Sequence, residues 1–275
     1  MTRRLTLVPL FTLILTGCIN SSTLIKVKAD GSGTIEQAVL MNAQAFRGMF
    51  TALGADGKPA QVGPTAVNEA ELKAAAEKMG EGVTFVSATP LKADNGFEGT
   101  KAVYAFTDIT KLRVDQDPSM AGGANVQVQR KPGKPVVFTL AKGANGTTVV
   151  TANFTDMAQQ AEARAKDQAP PQGQMSPDAI SPQMMEMAKA MFNGFKVAID
   201  LEVAGQIVKS SSEYVSGPRV TLLEMDLGEL LKDEAKLKEI QSKLGPNPSV
   251  SELKPYLAGI KGLKINEPIV TVEFK

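Results

Sequence analysis

Cys18 is the only cysteine in this 275-residue chain, and histidine is absent altogether. Without histidine, imidazole general bases, histidine-dependent triads and histidine metal sites are excluded. Carboxylate, lysine, serine and tyrosine chemistry remains. Acidic pairs stand at Asp115/Asp117, Asp226/Glu229 and Asp233/Glu234. Two carboxylates can run glycoside hydrolysis. However, Asp226, Glu229 and Asp233 fall where helices are expected to start, and acids there complement the helix dipole. Asp30-Gly31-Ser32-Gly33 imitates the middle of a calcium loop. With Gly33 in its glycine position, the outer ligand positions fall on Lys28 and Val39, so the first ligand and the bidentate glutamate are both missing. Neither a Gly-Lys-Ser/Thr phosphate loop nor a dinucleotide fingerprint is present. These residues assign no catalytic group, no metal site and no cofactor.

The chain's clearest chemical signal is the context of Cys18. Arg3 and Arg4 precede an apolar run from Leu5 to Thr16, and Leu15, Thr16 and Gly17 lead directly into the cysteine. A charged front, a short apolar middle and a small-residue exit read as a secretory signal peptide over residues 1–17. As a helix the run spans roughly 18 Å, against the ~30 Å of a bilayer core. Leu15-Thr16-Gly17-Cys18 resembles the lipobox of bacterial lipoproteins. The resemblance implies that Cys18 becomes the first residue of the mature chain, carrying a diacylglyceryl group and a third acyl chain such as palmitate. Two or more chains make a stable anchor where one is marginal. The membrane is therefore the expected partner through acylated Cys18. Ile19 in place of Asp favours, by resemblance to enteric sorting, the periplasmic face of the outer membrane.

Charge is nearly balanced, with 30 Lys and Arg against 29 Asp and Glu, and the leader takes Arg3 and Arg4 with it. No basic stripe exists for nucleic acid. Tryptophan is absent and tyrosine numbers only 3, so stacking on bases or sugars is poorly supplied. With its single cysteine acylated, the chain has no disulfide, and core packing alone must hold residues 18–275 as one envelope domain.

Thr23, Ile25 and Val27 alternate with Leu24, Lys26 and Lys28, and Ile35, Val39 and Met41 continue an apolar face beyond the Asp30–Gly33 turn. This periodicity predicts a β-hairpin over residues 22–41. Asn42 can cap a helix bearing Phe46, Met49, Phe50 and Leu53, followed by a Gly/Pro-rich loop at 54–64. Asn68 and Glu71 open a second helix, whose face is Leu72, Ala75, Ala76 and Met79 and whose stop is Gly80. Strands are expected at 83–92, 100–107, 125–130, 135–141, 147–154, 195–203, 206–215, 218–225 and 269–274, and helices at 227–244 and 250–261. Residues at about 155–181 are rich in Ala, Gln and Pro and read as a mobile linker or a polar helix.

A Met-rich helix is expected at about 182–193. Met184, Met187 and Met191 share one face, with Phe192 beside them. Such a face serves as adaptable core, its commoner use, or as a plastic apolar groove for a lipid tail or a partner helix.

The run Ile199 to Val208, then Ser210 to Glu213, Gly217 and Val220 to Met225, resembles the β-meander of LppM-type bacterial lipoprotein domains, with Ala204-Gly205 where Pro-Gly is commoner. The hairpin just after the lipobox also suits that family. The resemblance implies a β-rich domain on a lipid anchor and carries over no catalytic residue. The fold expected is α+β, a largely antiparallel sheet with helices clustered on one side. The expected role is non-catalytic: binding a hydrophobic ligand or lipid close to the membrane, or acting as an envelope adaptor through protein contacts.

Overall fold

A computed structural model describes residues 19–42, 68–93, 96–114, 134–157, 159–160, 189, 194–243, 255–257 and 259–275. Thirteen strands lie among them: β1 (Ile19–Val27), β2 (Gly33–Asn42), β3 (Val83–Lys92), β4 (Phe97–Phe106), β5 (Arg113–Val114), β6 (Val136–Lys142), β7 (Thr148–Asn153), β8 (Lys196–Val203), β9 (Ile207–Ser210), β10 (Val215–Ser216), β11 (Arg219–Asp226), β12 (Leu263–Ile265) and β13 (Ile269–Phe274). The helices are α1 (Glu69–Lys78), α2 (Leu227–Lys232) and α3 (Glu234–Lys243).

The expected antiparallel pairing is largely present, but the strands divide between two sheets. The first has the order β10-β11-β8-β1-β2-β4-β3, with β12 also on β11. The second runs β5-β6-β7-β13-β9. Among the described residues the one parallel pair is β1 with β8, in register from Asn20 opposite Lys196 to Val27 opposite Val203. Inward residues of both sheets make one buried cluster. Ile25, Ile35, Tyr104 and Leu201 come from the first sheet, and Phe138, Val150, Val272 and Phe274 from the second. This is a sandwich in which each sheet covers the apolar face of the other.

The hairpin forms as its alternation predicts, with Thr23, Ile25 and Val27 buried along β1. Gly33 is required at its corner, because a Cβ there would sit 1.9 Å from the Lys26 carbonyl oxygen. Asn68 caps α1 by accepting from the backbone N–H of Ala70 and Glu71. Leu72, Ala75, Ala76 and Met79 are buried as the pattern requires.

Three expectations change. The stretch 206–215 is not the middle strand of a meander. β8 pairs directly with β11, while β9 leaves the first sheet and pairs with β13 in the second. The crossing occurs at Ala204-Gly205, where Gln206 and Lys275 exchange backbone hydrogen bonds of 2.8 and 3.1 Å. A side chain at 205 would meet the Lys275 carbonyl oxygen at 2.3 Å. The helix expected over 227–244 breaks into α2 and α3 at Asp233, which leaves helical geometry (φ −89°, ψ 73°) and accepts from the Lys236 N–H at 3.0 Å. At the start of the expected linker, Thr155 to Met157 are helical, and Met157 packs against the core. Apart from residues 159–160, which are helical, the rest of that segment, the helix from Asn42, the loop 54–64, the strand 125–130 and residues 244–254 lie outside the described residues.

The sheets are aligned at one end and not at the other. Near the β1–β2 turn, the Ala29 carbonyl accepts from Lys142 Nζ at 3.3 Å and Thr148 Oγ1 at 3.4 Å. From that end β1 and β2 run nine and ten residues, whereas β7 and β13 run six. At ~3.3 Å per residue β1 and β2 outrun β7 and β13 by roughly 10 Å. The overhang lies where β1 begins.

Candidate functional site

Cys18 with Leu15, Thr16 and Gly17, the apolar face Met184, Met187, Met191 and Phe192, and the pair Asp115/Asp117 all lie outside the described residues. The other acidic candidates have local duties. Asp226 Oδ1 accepts from the Glu229 N–H at 3.0 Å and caps α2. Asp233 caps the first turn of α3 in the same way. Asp30, in the calcium-like loop, accepts from both the N–H and the Oγ–H of Ser32, and the loop is a hairpin turn.

Most charged side chains on the outer face of the first sheet are paired. Glu36 lies between Lys26 and Lys101, Glu202 accepts from Arg219 at 2.7 and 3.2 Å, and Glu224 lies 2.8 Å from both Lys196 and Lys264. The hydrogen bond from Lys26 holds the Glu36 carboxyl below its usual range. Burial draws Glu224 upward, but Lys196 and Lys264 outweigh it and hold the group low. Asp30, Asp108, Glu229 and Glu239 are likewise displaced downward by hydrogen bonds to Ser32, Thr110, Lys232 and Lys236. A carboxylic general acid requires displacement the other way. A cleft of about 480 Å³ lies at the turn end of the sheet, lined by Lys26, Ser32, Thr34, Phe106, Glu202 and Ala204. Its lining also includes Lys28; of the three charged groups, Lys26 and Glu202 are committed to the pairs just named. Among the described residues no group of three or more acidic, cysteine or histidine side chains could hold a metal ion.

The interior presents a different kind of site. Along β2 the inward positions are Ile35, Gln37 and Val39, and along β4 they are Thr100, Ala102 and Tyr104. Gln37 stands opposite Ala102 and Ile35 opposite Tyr104, so Gln37 and Tyr104 are diagonal neighbours, about 7–8 Å apart at Cα. Gln37 Oε1 and Tyr104 Oη are both buried, and neither finds a hydrogen-bond partner among the described residues. Burial pushes the Tyr104 phenol up to about 12 from its ordinary 10.0. Thr23, opposite Gln37 on β1, is a third buried polar side chain in this row. Beyond them, on the overhang, the inner face carries Ser21, Val39, Thr100 and Val197. Val39 is only 7% exposed.

One signal of this polar row stands in the sequence. Gln37 interrupts the alternating face of Ile35, Val39 and Met41 at a position where the period demands an apolar residue. Tyr104 gives no comparable signal, since Tyr is an ordinary core residue when its hydroxyl finds a partner.

No family model matches the chain, and no curated protein matches it. Among solved structures, the NMR structure of the folded domain of LppM from Mycobacterium tuberculosis aligns with 76% of this chain and 84% of that one, at 12% identity and a TM-score of 0.32. The likeness is distant. No helix among the described residues is long and apolar enough to cross a membrane.

Proposed function

We propose that the chain is a non-catalytic envelope lipoprotein, acylated on Cys18, that binds a hydrophobic ligand or lipid in an apolar site close to the membrane. Ile19 in place of Asp favours the periplasmic face of the outer membrane. The observation that carries the ligand reading is the overhang of the first sheet, with the orphaned Gln37 Oε1 and Tyr104 Oη at its inner end. Leaving a buried polar group unmatched costs about 1–3 kcal/mol, and a ligand's hydroxyl or amide would recover it. Asn42 at the end of β2 and Gly194 just before β8 lie at this same end of the sheet. In this reading Met184, Met187, Met191 and Phe192 supply the apolar lining.

The test is mass spectrometry of small molecules that copurify with the acyl-free Cys18→Ser chain, followed by fluorescent-lipid titration of Met187→Ala. A co-purified lipid, and a variant that melts like its parent but binds lipid weakly, support the reading. A variant destabilised by about 2–5 kcal/mol would make the Met face core. A lipid-free chain that captures a defined envelope protein would favour the adaptor role. Strand addition at β3, the long edge of the first sheet, is an unfavourable route to such a role. That edge carries a bulge between Phe85 and Ser87, and then Pro90 and Lys92, features that block pairing with a foreign strand.

A further inference from the structure

β1 begins at Ile19, the residue bonded to Cys18. Consecutive Cα atoms are ~3.8 Å apart, so an acylated Cys18 leaves no free tether between the bilayer surface and the sheet. The start of β1 then fixes which end of the sandwich meets the lipid. Strand register identifies what else lies there. Ile19 stands opposite Met41, Met41 opposite Glu98, and Glu98 opposite Lys92, so this row crosses four strands at one level. On the other side Asn20 pairs with Lys196 at the start of β8, and Lys196 pairs with Asp226 at the end of β11. The opposite end of β1 carries the Asp30–Gly33 turn, roughly 30 Å away at ~3.3 Å per residue.

A second feature of the same end fits a lipid surface. At the corner of β8, β11, α2 and β12, four lysines share two glutamates. Lys196 and Lys264 each lie 2.8 Å from Glu224, and Lys232 and Lys261 lie 2.6 and 4.0 Å from Glu229. Asp226 is engaged as the cap of α2, and Asp200 on β8 also acts on Lys196. The Lys261 side chain is 90% exposed and only loosely held. Lysines on flexible stems that reach outward suit the phosphates of lipid headgroups.

We infer that the end of the sandwich formed by the start of β1, the end of β2, the Lys92–Glu98 pair and the lysine corner docks on the bilayer headgroups, with the Asp30–Gly33 turn and its cleft pointing away. This rests on the lipoprotein reading above. It adds an orientation and a lipid-facing surface, and it sets the Gln37 shelf next to the bilayer.

Acylation removes the only thiol, so any cysteine introduced into the mature chain is a unique labelling site. The natively acylated full chain, carrying Lys92→Cys, Lys261→Cys or Lys28→Cys, is labelled with a fluorophore. It is then reconstituted into phosphatidylcholine–phosphatidylglycerol vesicles containing a headgroup-spin-labelled lipid. Labels at 92 and 261 should be quenched strongly, and a label at 28 should match vesicles that lack spin label. Equal quenching at all three sites, strongest quenching at 28, or no quenching at 92 and 261 overturns the orientation. Intact-mass measurement on the same samples separates the premises. An unmodified Cys18 overturns the lipoprotein reading itself, while an acylated chain with the wrong quenching pattern overturns only the docking surface.

Discussion

Tyr104 is the residue whose environment is most at odds with its chemistry. Its ring is fully buried and packs edge-on against Phe85, with centroids 6.0 Å apart, while its hydroxyl has no partner among the described residues. The ring contributes apolar burial, and the hydroxyl subtracts from it. Tyr104→Phe should therefore stabilise the fold by about 1 kcal/mol, because the desolvation cost of an unmatched hydroxyl disappears and the ring stays. A urea melt reads this directly, and a clear loss of stability would mean that the hydroxyl is satisfied in solution. The same residue sets an alkaline limit. Its folded titration at about 12 lies above the ordinary 10.0, so the unfolded chain releases this proton first. Stability from this group is intact below pH 10 and is lost as pH rises from 10 towards 12, by up to roughly 2–3 kcal/mol. The Tyr104→Phe chain should lack that share of the alkaline slope, and the absorbance titration should lose its step near 12.

At the scale of elements, the informative place is the corner at Gly205. β8 hands the chain to β9 in the other sheet there, and the backbone of Lys275 passes so close that a Cβ has no room. Gly205→Ala should cost about 2–3 kcal/mol, since either the corner or the end of β13 must shift. Gly217 is the control. Its φ is +58°, but nothing lies within 4 Å of an added Cβ, so Gly217→Ala should cost only the ~1 kcal/mol of a left-handed backbone. Equal losses in denaturant melts would remove the corner's special role. This corner also marks the limit of what was legible in the sequence. The first hairpin, α1 with its Asn68 cap and β13 are readable because local period and capping decide them. Whether β9 lies beside β8 or beside β13 depends on a partner some sixty residues away, and strand alternation looks the same in either sheet. The break at Asp233 was hidden for a related reason, because the apolar positions on either side of it continue one helical period. For the site, Gln37 was legible as a polar residue in an apolar row, whereas the overhang that gives it meaning follows only from comparing strand lengths across two sheets.

For the whole molecule the question is whether two sheets make one folding unit. Ile25, Ile35, Tyr104 and Leu201 from one sheet and Phe138, Val150, Val272 and Phe274 from the other belong to a single buried cluster. Neither sheet can keep its apolar face dry without the other, so neither has an independently stable state. The connections reinforce this, because the chain moves from the first sheet to the second and back. β5 to β7 follow β4, β8 returns to the first sheet, β9 leaves it again, and β13 closes the second sheet between β7 and β9. Unfolding should therefore be one cooperative transition. The absence of tryptophan makes this easy to measure, since one introduced tryptophan reports its own sheet without background. Phe85→Trp places the reporter on β3 in the first sheet, and Phe154→Trp places it just after β7, beside the second. In each variant the fluorescence transition in urea should coincide with the loss of far-ultraviolet circular dichroism. Each comparison is made within one variant, so any destabilisation by the larger ring shifts both signals together and leaves the test intact. Separate midpoints in either variant would show that one sheet survives without its partner. The shared core would then not be what holds the Gln37 shelf in place.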